Sequence, residues 1–159
     1  MKSIVILFSV VLLLVFASGI FALSRFTLSA LAEPGTSETY LATKVKHILI
    51  RSSSRGPMPP VPSDINASIE EGEKLFGTEC AACHGLDGHN PTDAGRWMYP
   101  RSADLTSADV QKYSDRELFW IVKNGIRFSG MPAFGNVETD EHIWNLAQFL
   151  RTFRSGNGK

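Results

Sequence analysis

The chain has 159 residues, carries 16 lysines and arginines against 16 aspartates and glutamates, and holds two cysteines. Such a length leaves room for one domain of ordinary size and little else. Balanced charge provides no basic surface for a polyanion, which argues against nucleic acid as a partner.

Ser3 to Leu23 carries no charge and is almost entirely apolar. About 20 helical residues span the roughly 30 Å hydrocarbon core of a bilayer, so this stretch reads as an export segment. It is longer than the roughly 7–15 apolar residues of a signal-peptide core, which favours a retained single-pass anchor. Ala30-Leu31-Ala32, an A-x-A pattern before Glu33 and Pro34, supports the alternative of cleavage and a soluble periplasmic protein. A buried core helix would need neighbours that so short a chain lacks. Lys2 and the terminal amine precede the span and Arg25 comes after it, which orients the N-terminus inward and the rest of the chain outside the cytoplasm. Without Lys2 and Arg25, 14 basic residues face 16 acidic ones, a balance of −2.

The expected organisation is a membrane anchor or signal segment over 1–25, a Ser/Pro-rich extracytoplasmic linker over 26–63 and a compact domain over 64–155. Arg51 to Ser63 has no helical or strand period and reads as extended and semi-rigid. Thr39 to Ile50 is compatible with either a short strand or a helix. A domain of this size is commonly stapled by a metal, disulfides or a cofactor.

Three helices are expected. Ser68-Ile69-Glu70-Glu71 forms a capping-box pattern, with Ser68 as N-cap, and the helix carries Ile69, Gly72, Leu75 and Phe76 on one side as it runs into Cys80. Ser114 to Glu117 repeats the pattern, with Tyr113 and Leu118 as a hydrophobic staple, Leu118, Ile121 and Val122 buried, and Gly125 as the stop. Thr139 caps the third, which is acidic at its start and basic at its end; Ile143, Leu146, Ala147, Leu150 and Phe153 form its apolar stripe. No segment alternates as a half-buried strand does, so the fold class is all-α with long loops. Gly85 to Asp109 shows no period, and a loop that long in so small a domain is expected to wrap something.

Cys80-Ala81-Ala82-Cys83-His84 contains both thiols. A disulfide over so short a loop adds little stability. A redox pair lacks its usual βαβ context, and zinc lacks a fourth ligand. C-x-x-C-H is the attachment signature of c-type haem: two thiols one turn apart meet two vinyl groups, and the adjacent imidazole projects over the ring plane. This agrees with export. Met131 lies downstream in RFSGMPAFG, where Pro132 biases it away from helical backbone and lets its thioether project from a loop. It is the expected second iron ligand, with core packing as the alternative role. Met98 is the main rival. His47 and Met58 lie in the linker, His142 in a helical first turn, and His89 too near the attachment turn.

With these four residues, the chain resembles the class I, bacterial monohaem c-type cytochromes. EEGEKLFGTECAACHGLDG, PRSADLT, SDRELFWIVKNGIRFSGMPAFG and HIWNLAQFLRTF carry the resemblance over Ile69 to Phe153. It implies the cytochrome c fold, three main helices and long loops around one haem, with the first and last helices crossing through Gly72 and Phe76 against Leu146, Phe149 and Leu150. It implies one covalent haem c, thioether bonds at Cys80 and Cys83, and His84 and Met131 as axial iron ligands. In many relatives a proline carbonyl orients the histidine; Pro100 is the nearest counterpart here. Trp97, Tyr99 and Arg101 are candidate propionate donors, and Phe128, Phe134, Ile126 and Trp120 a candidate apolar shell.

Filled axial positions favour one-electron transfer without substrate chemistry, and Met/His ligation raises the potential. The expected function is an electron shuttle between extracytoplasmic or membrane partners of a respiratory chain, with no small-molecule substrate, docking near Ala81, Ala82 and the 129–135 loop. The alternatives are a fixed haem subunit of a dehydrogenase or terminal oxidase complex, and a gas sensor or peroxidase-like enzyme.

Overall fold

In a bilayer the uncharged, largely apolar run Ser3 to Leu23 can satisfy its backbone only as a helix, and the 24 residues Lys2–Arg25 form one (α1). At 1.5 Å per residue it is about 36 Å long. Its mean hydropathy reaches 3.0 and none of its side chains is buried. Length and apolarity are those of a membrane span or a signal sequence. The computed structural model describes residues 2–25 and 29–155; Met1 and residues 26–28 of the expected linker lie outside it. α1 belongs to one compact unit, Met1–Ala32, and everything from Glu33 onward to another.

The second unit is all-helical among the described residues. After α2 (Thr36–Ser53) come α3 (Ile65–Leu75), a π-turn (Phe76–Cys80), and the short helices α4 (Ala81–His84), α5 (Asp93–Trp97) and α6 (Ala108–Gln111). Two longer helices complete the unit, α7 (Asp115–Asn124) and α8 (Asp140–Ser155). The loop expected over 85–109 is therefore interrupted by α5 and closes into α6.

α3 crosses α8, and Gly72 makes that crossing close: a Cβ there would overlap the Asn145 carbonyl. Below it, the Phe76 ring lies 5.3 Å from Phe149 and 5.4 Å from Phe153. Phe76, Ile143 and Leu146 are the most completely buried large side chains. Burying each stabilises the fold by roughly 1.5–3 kcal/mol. α3 begins one turn earlier than Ser68 suggested. Asp64 is the N-cap, accepting from the Ala67 amide at 3.0 Å. Ser68 is instead buried and donates to Asn145 Oδ1 at 2.6 Å. The local pattern fitted two caps; the long-range partner on α8 decided between them.

α7 starts and stops as its sequence predicts. Ser114 and Glu117 close a capping box, Tyr113 and Leu118 are buried, and Gly125 ends the helix with φ +66°. Phe119 packs on Trp144 at 4.6 Å. Arg151 donates to Asp115 Oδ1 at 2.6 Å and to the Gln111 carbonyl at 3.1 Å, locking the end of α8 to the α6–α7 turn. Thr139 caps α8 through the His142 amide at 3.2 Å.

The segment read as a linker is different. Residues 36–53 are helical, and Ile50 is buried against the domain. His47 stacks on Tyr113 with ring centres 4.3 Å apart. Arg116 donates to the Ser54 and Gly56 carbonyls at 2.9 and 2.6 Å. Trp144 Nε1 donates to the Pro59 carbonyl at 3.2 Å, pinning the proline-rich strap beyond α2. Met58 packs against the same core. Composition predicted an extended spacer over 51–63; residues 57–62 have no helix, but they lie on the domain rather than free of it.

Candidate haem site

α3 does not end where its helical hydrogen bonds change. The Ala81 amide bonds back to the Phe76 carbonyl, widening the turn over Phe76–Cys80 before α4 resumes. Such π-turns insert a residue and re-aim the side chains beyond it. Here the turn leaves Phe76 in the core while delivering Cys80, Cys83 and His84, all half-buried, to the outside of the crossing. The Gly85 amide, bonded to the Ala81 carbonyl at 3.0 Å, ends α4 directly after His84.

Cys80 and Cys83 are not joined in a disulfide. Burial, with smaller contributions from Glu79 and Cys83, pushes the Cys80 thiol up to about 12, so it is neutral. Burial also holds the His84 imidazole below its ordinary value, opposed by a hydrogen bond to the Ala103 carbonyl. That bond is 2.9 Å from Nδ1. A carbonyl can only accept, so Nδ1 carries the proton and Nε2 keeps its lone pair. An imidazole oriented this way by its remote nitrogen is the usual state of a metal ligand.

The 92–103 segment is the second wall. Thr92 accepts nothing from the attachment turn but holds it twice: its amide donates to the Cys83 carbonyl at 3.2 Å and its hydroxyl to the Ala82 carbonyl at 2.5 Å. Gly95 lies so close that a Cβ would overlap the Cys83 carbonyl. Ser102 returns to the Gly95 carbonyl at 3.0 Å, which places Ala103 against His84.

The same segment reaches the loop of Met131. Met98 packs its thioether against Gly130, where any side chain would overlap it, and accepts from the Ser102 hydroxyl at 3.8 Å. Met131 is half-buried against the core. Its amide donates to Ser129 Oγ at 3.2 Å and its carbonyl accepts from Ile126 at 3.3 Å. Residues 92–103 thus touch Cys83 and His84 on one side and the Met131 turn on the other. Two cysteine side chains not spent on a disulfide, a histidine with an available Nε2 and a thioether on a pinned loop are a donor set that fits a covalently held haem.

Several expectations change. The carbonyl on His84 belongs to Ala103, not Pro100; any residue can supply a carbonyl, so no side-chain signal marked it. Tyr99 donates to Glu38 at 2.7 Å and Arg101 pairs with Glu33, so both are committed to acids before and within α2. Trp97 is largely exposed. Within the expected apolar shell, Phe134 is buried and Ile126 and Trp120 are half-buried, but Phe128 is 91% exposed with φ +62°. Ala81 is buried, leaving only Ala82 of that pair at the surface. His89 and His142 are engaged by Asp104 at 2.9 Å and Glu138 at 2.7 Å. Gly95 is the residue that sequence reasoning missed and that a glycine inside an unpatterned loop signals.

Residues 67–150, more than half of the chain, match the family described as "Cytochrome C oxidase, cbb3-type, subunit III". Cytochrome c6 of Pyropia tenera is 32% identical over 84 residues, covering 53% of this chain and 91% of that protein. The quinohemoprotein alcohol dehydrogenase ADH-IIG of Pseudomonas putida is 32% identical over 94 residues. The match covers 59% of this chain but only 12% of the dehydrogenase. Among solved structures, a chain of the Kuenenia stuttgartiensis reducing HAO-like protein complex superposes with a TM-score of 0.51 at 21% identity, covering 62% of this chain and 51% of that one. It agrees in fold.

Proposed function

Because the chain belongs to the cbb3-type subunit III family and is a monohaem c-type cytochrome that transfers electrons through covalent haem c, we propose that Cys80 and Cys83 hold the group and that His84 Nε2 and Met131 Sδ are its iron ligands. The observation that carries this is the Nδ1–Ala103 hydrogen bond. It fixes the tautomer and ring angle of His84, which shares α4 with Cys83 and directly follows the π-turn that carries Cys80. Haem held there would supply a one-electron couple, with His84 and Met131 available as its iron ligands.

The protein's part is to set and hold the ligands. Ala103 makes the imidazole a stronger donor and prevents its rotation. A thioether ligand favours the reduced state and raises the potential. Phe134, Ile126 and Trp120 exclude water beside the Met131 loop, which acts in the same direction. Gly130 keeps that loop against Met98, so Met131 is offered without a search. Exposed Ala82, Leu86, Trp97 and Phe128 lie on segments bordering the two ligand loops and suit a small, weak encounter surface.

On this reading the protein is an electron carrier and not an enzyme, tethered through α1 to the cytoplasmic membrane with its haem domain outside. Residues 1–25 are the anchor, and residues 64–155 the haem domain, to which the strap over 33–63 is fastened. A second reading is a fixed haem subunit of an oxidase or dehydrogenase; the family description and the dehydrogenase relative favour it. Haem staining of denaturing gels tests attachment: the signal should vanish in Cys80→Ala/Cys83→Ala. Carbonate-washed membranes should retain the stain, and release into the soluble periplasm would remove the anchor. On native gels of solubilised membranes, a stain at the size of the free chain supports the carrier, and one in a large assembly supports the subunit. Ready carbon monoxide binding by the reduced wild type would reject filled axial positions.

A further inference from the structure

α2 has two opposite faces, and only one is packed on the domain. Thr43, His47, Ile50 and Ser54 face the domain, fixed by the Tyr113 stack and the Arg116 hydrogen bonds. Leu41, Val45, Ile48 and Leu49 recur at helical spacing on the other side and are 64%, 45%, 67% and 59% exposed. Because the first face is pinned, the second points away from the domain. Monomeric proteins seldom leave such a stripe uncovered without a partner.

The observations favour a lipid surface as that partner. Only ten residues, 26–35, separate α2 from the end of α1, a length that reaches at most about 35 Å when fully extended. On a helical projection Lys44 and Arg51 fall beside the stripe and are exposed. Long cationic side chains on the border of an apolar helix face can keep their charges among headgroups while their stems lie on the apolar boundary. Acidic residues are absent from α2 after Glu38. We infer that α2 is an interfacial helix whose Leu41–Val45–Ile48–Leu49 stripe lies in the headgroup boundary of an anionic membrane, fixing how the haem domain is presented above it. This rests on the retained anchor proposed above.

The test uses the full-length holoprotein in vesicles of phosphatidylcholine and phosphatidylglycerol, with a photo-crosslinking residue at Ile48, or at the exposed Lys74 as reference. Products are read by mass. Lipid adducts severalfold more abundant at position 48 than at position 74 are expected, and the same residue at Leu41 should reproduce them. Flotation with the vesicles but equal adducts at both positions overturns the inference and leaves the anchor standing. A protein dimer as the main product at position 48 overturns it in favour of self-association. Failure to float overturns the anchor and the inference together.

Discussion

The two walls of the haem site are built differently. The Cys80–His84 turn is an extension of the α3–α8 crossing, with Phe76 wedged among Phe149 and Phe153 directly before it. The Met131 turn is held mainly by hydrogen bonds within residues 126–131, by the contact of Gly130 with Met98 and by the partial burial of Met131. One wall is part of the core and the other hangs on it. Changes in the first should therefore cost fold and haem together, whereas changes in the second should alter ligation in a protein that stays folded.

The largest effect should come from Phe76→Ala. The side chain is 1% exposed, and deleting such a ring from a close-packed core costs roughly 3–5 kcal/mol. Denaturant unfolding of the holoprotein should show that loss, together with a reduced yield of covalent haem. A loss below about 1 kcal/mol would mean that the proximal wall does not depend on this packing.

Met131→Ala sharpens the contrast. Met131 is only partly buried, so the stability loss should sit at or below about 2 kcal/mol. The absorption band arising from thioether ligation should nevertheless disappear, and the reduced protein should bind carbon monoxide. Retention of the band in Met131→Ala and its loss in Met98→Ala would transfer the ligand role to Met98. Between these extremes lies Ser68→Ala, which leaves the buried Asn145 amide oxygen without its donor and should cost about 1–3 kcal/mol in the same denaturant assay.

The same division explains what was legible in the sequence. Cys80, Cys83, His84 and Met131, the proposed haem residues, were readable as candidates because side-chain chemistry needs those residue types at those spacings. α7 was legible to its caps, since Ser114, Glu117 and Gly125 act on neighbouring backbone. Ser68 misled because a local pattern cannot show that its hydroxyl finds Asn145, 77 positions away. Ala103 could not be found at all from side-chain type, since its carbonyl does the work. Thr39 to Ile50 stayed open between strand and helix for a third reason: what fixes α2, the burial of Ile50 and the His47–Tyr113 stack, lies far away in the sequence.

The smallest predicted effect concerns that helix. His47 is wedged against Tyr113, and burial first, then Lys112 and Lys46, lower its pKa below 6.5, while Asp109, 3.6 Å away, acts in the opposite sense. A histidine whose folded pKa is depressed takes up its proton more readily when unfolded or undocked. The docked state thus keeps its full stability above 6.5 and loses it as pH falls through the lower folded value. Hydrogen exchange of the α2 amides should therefore accelerate relative to those of α8 between about pH 7 and pH 5. His47→Phe keeps a ring against Tyr113 but cannot titrate, so its α2 amides should hold their ratio to α8 across the same range. If wild type and variant change alike, the acid sensitivity resides elsewhere on α2 and the His47–Tyr113 stack is packing alone.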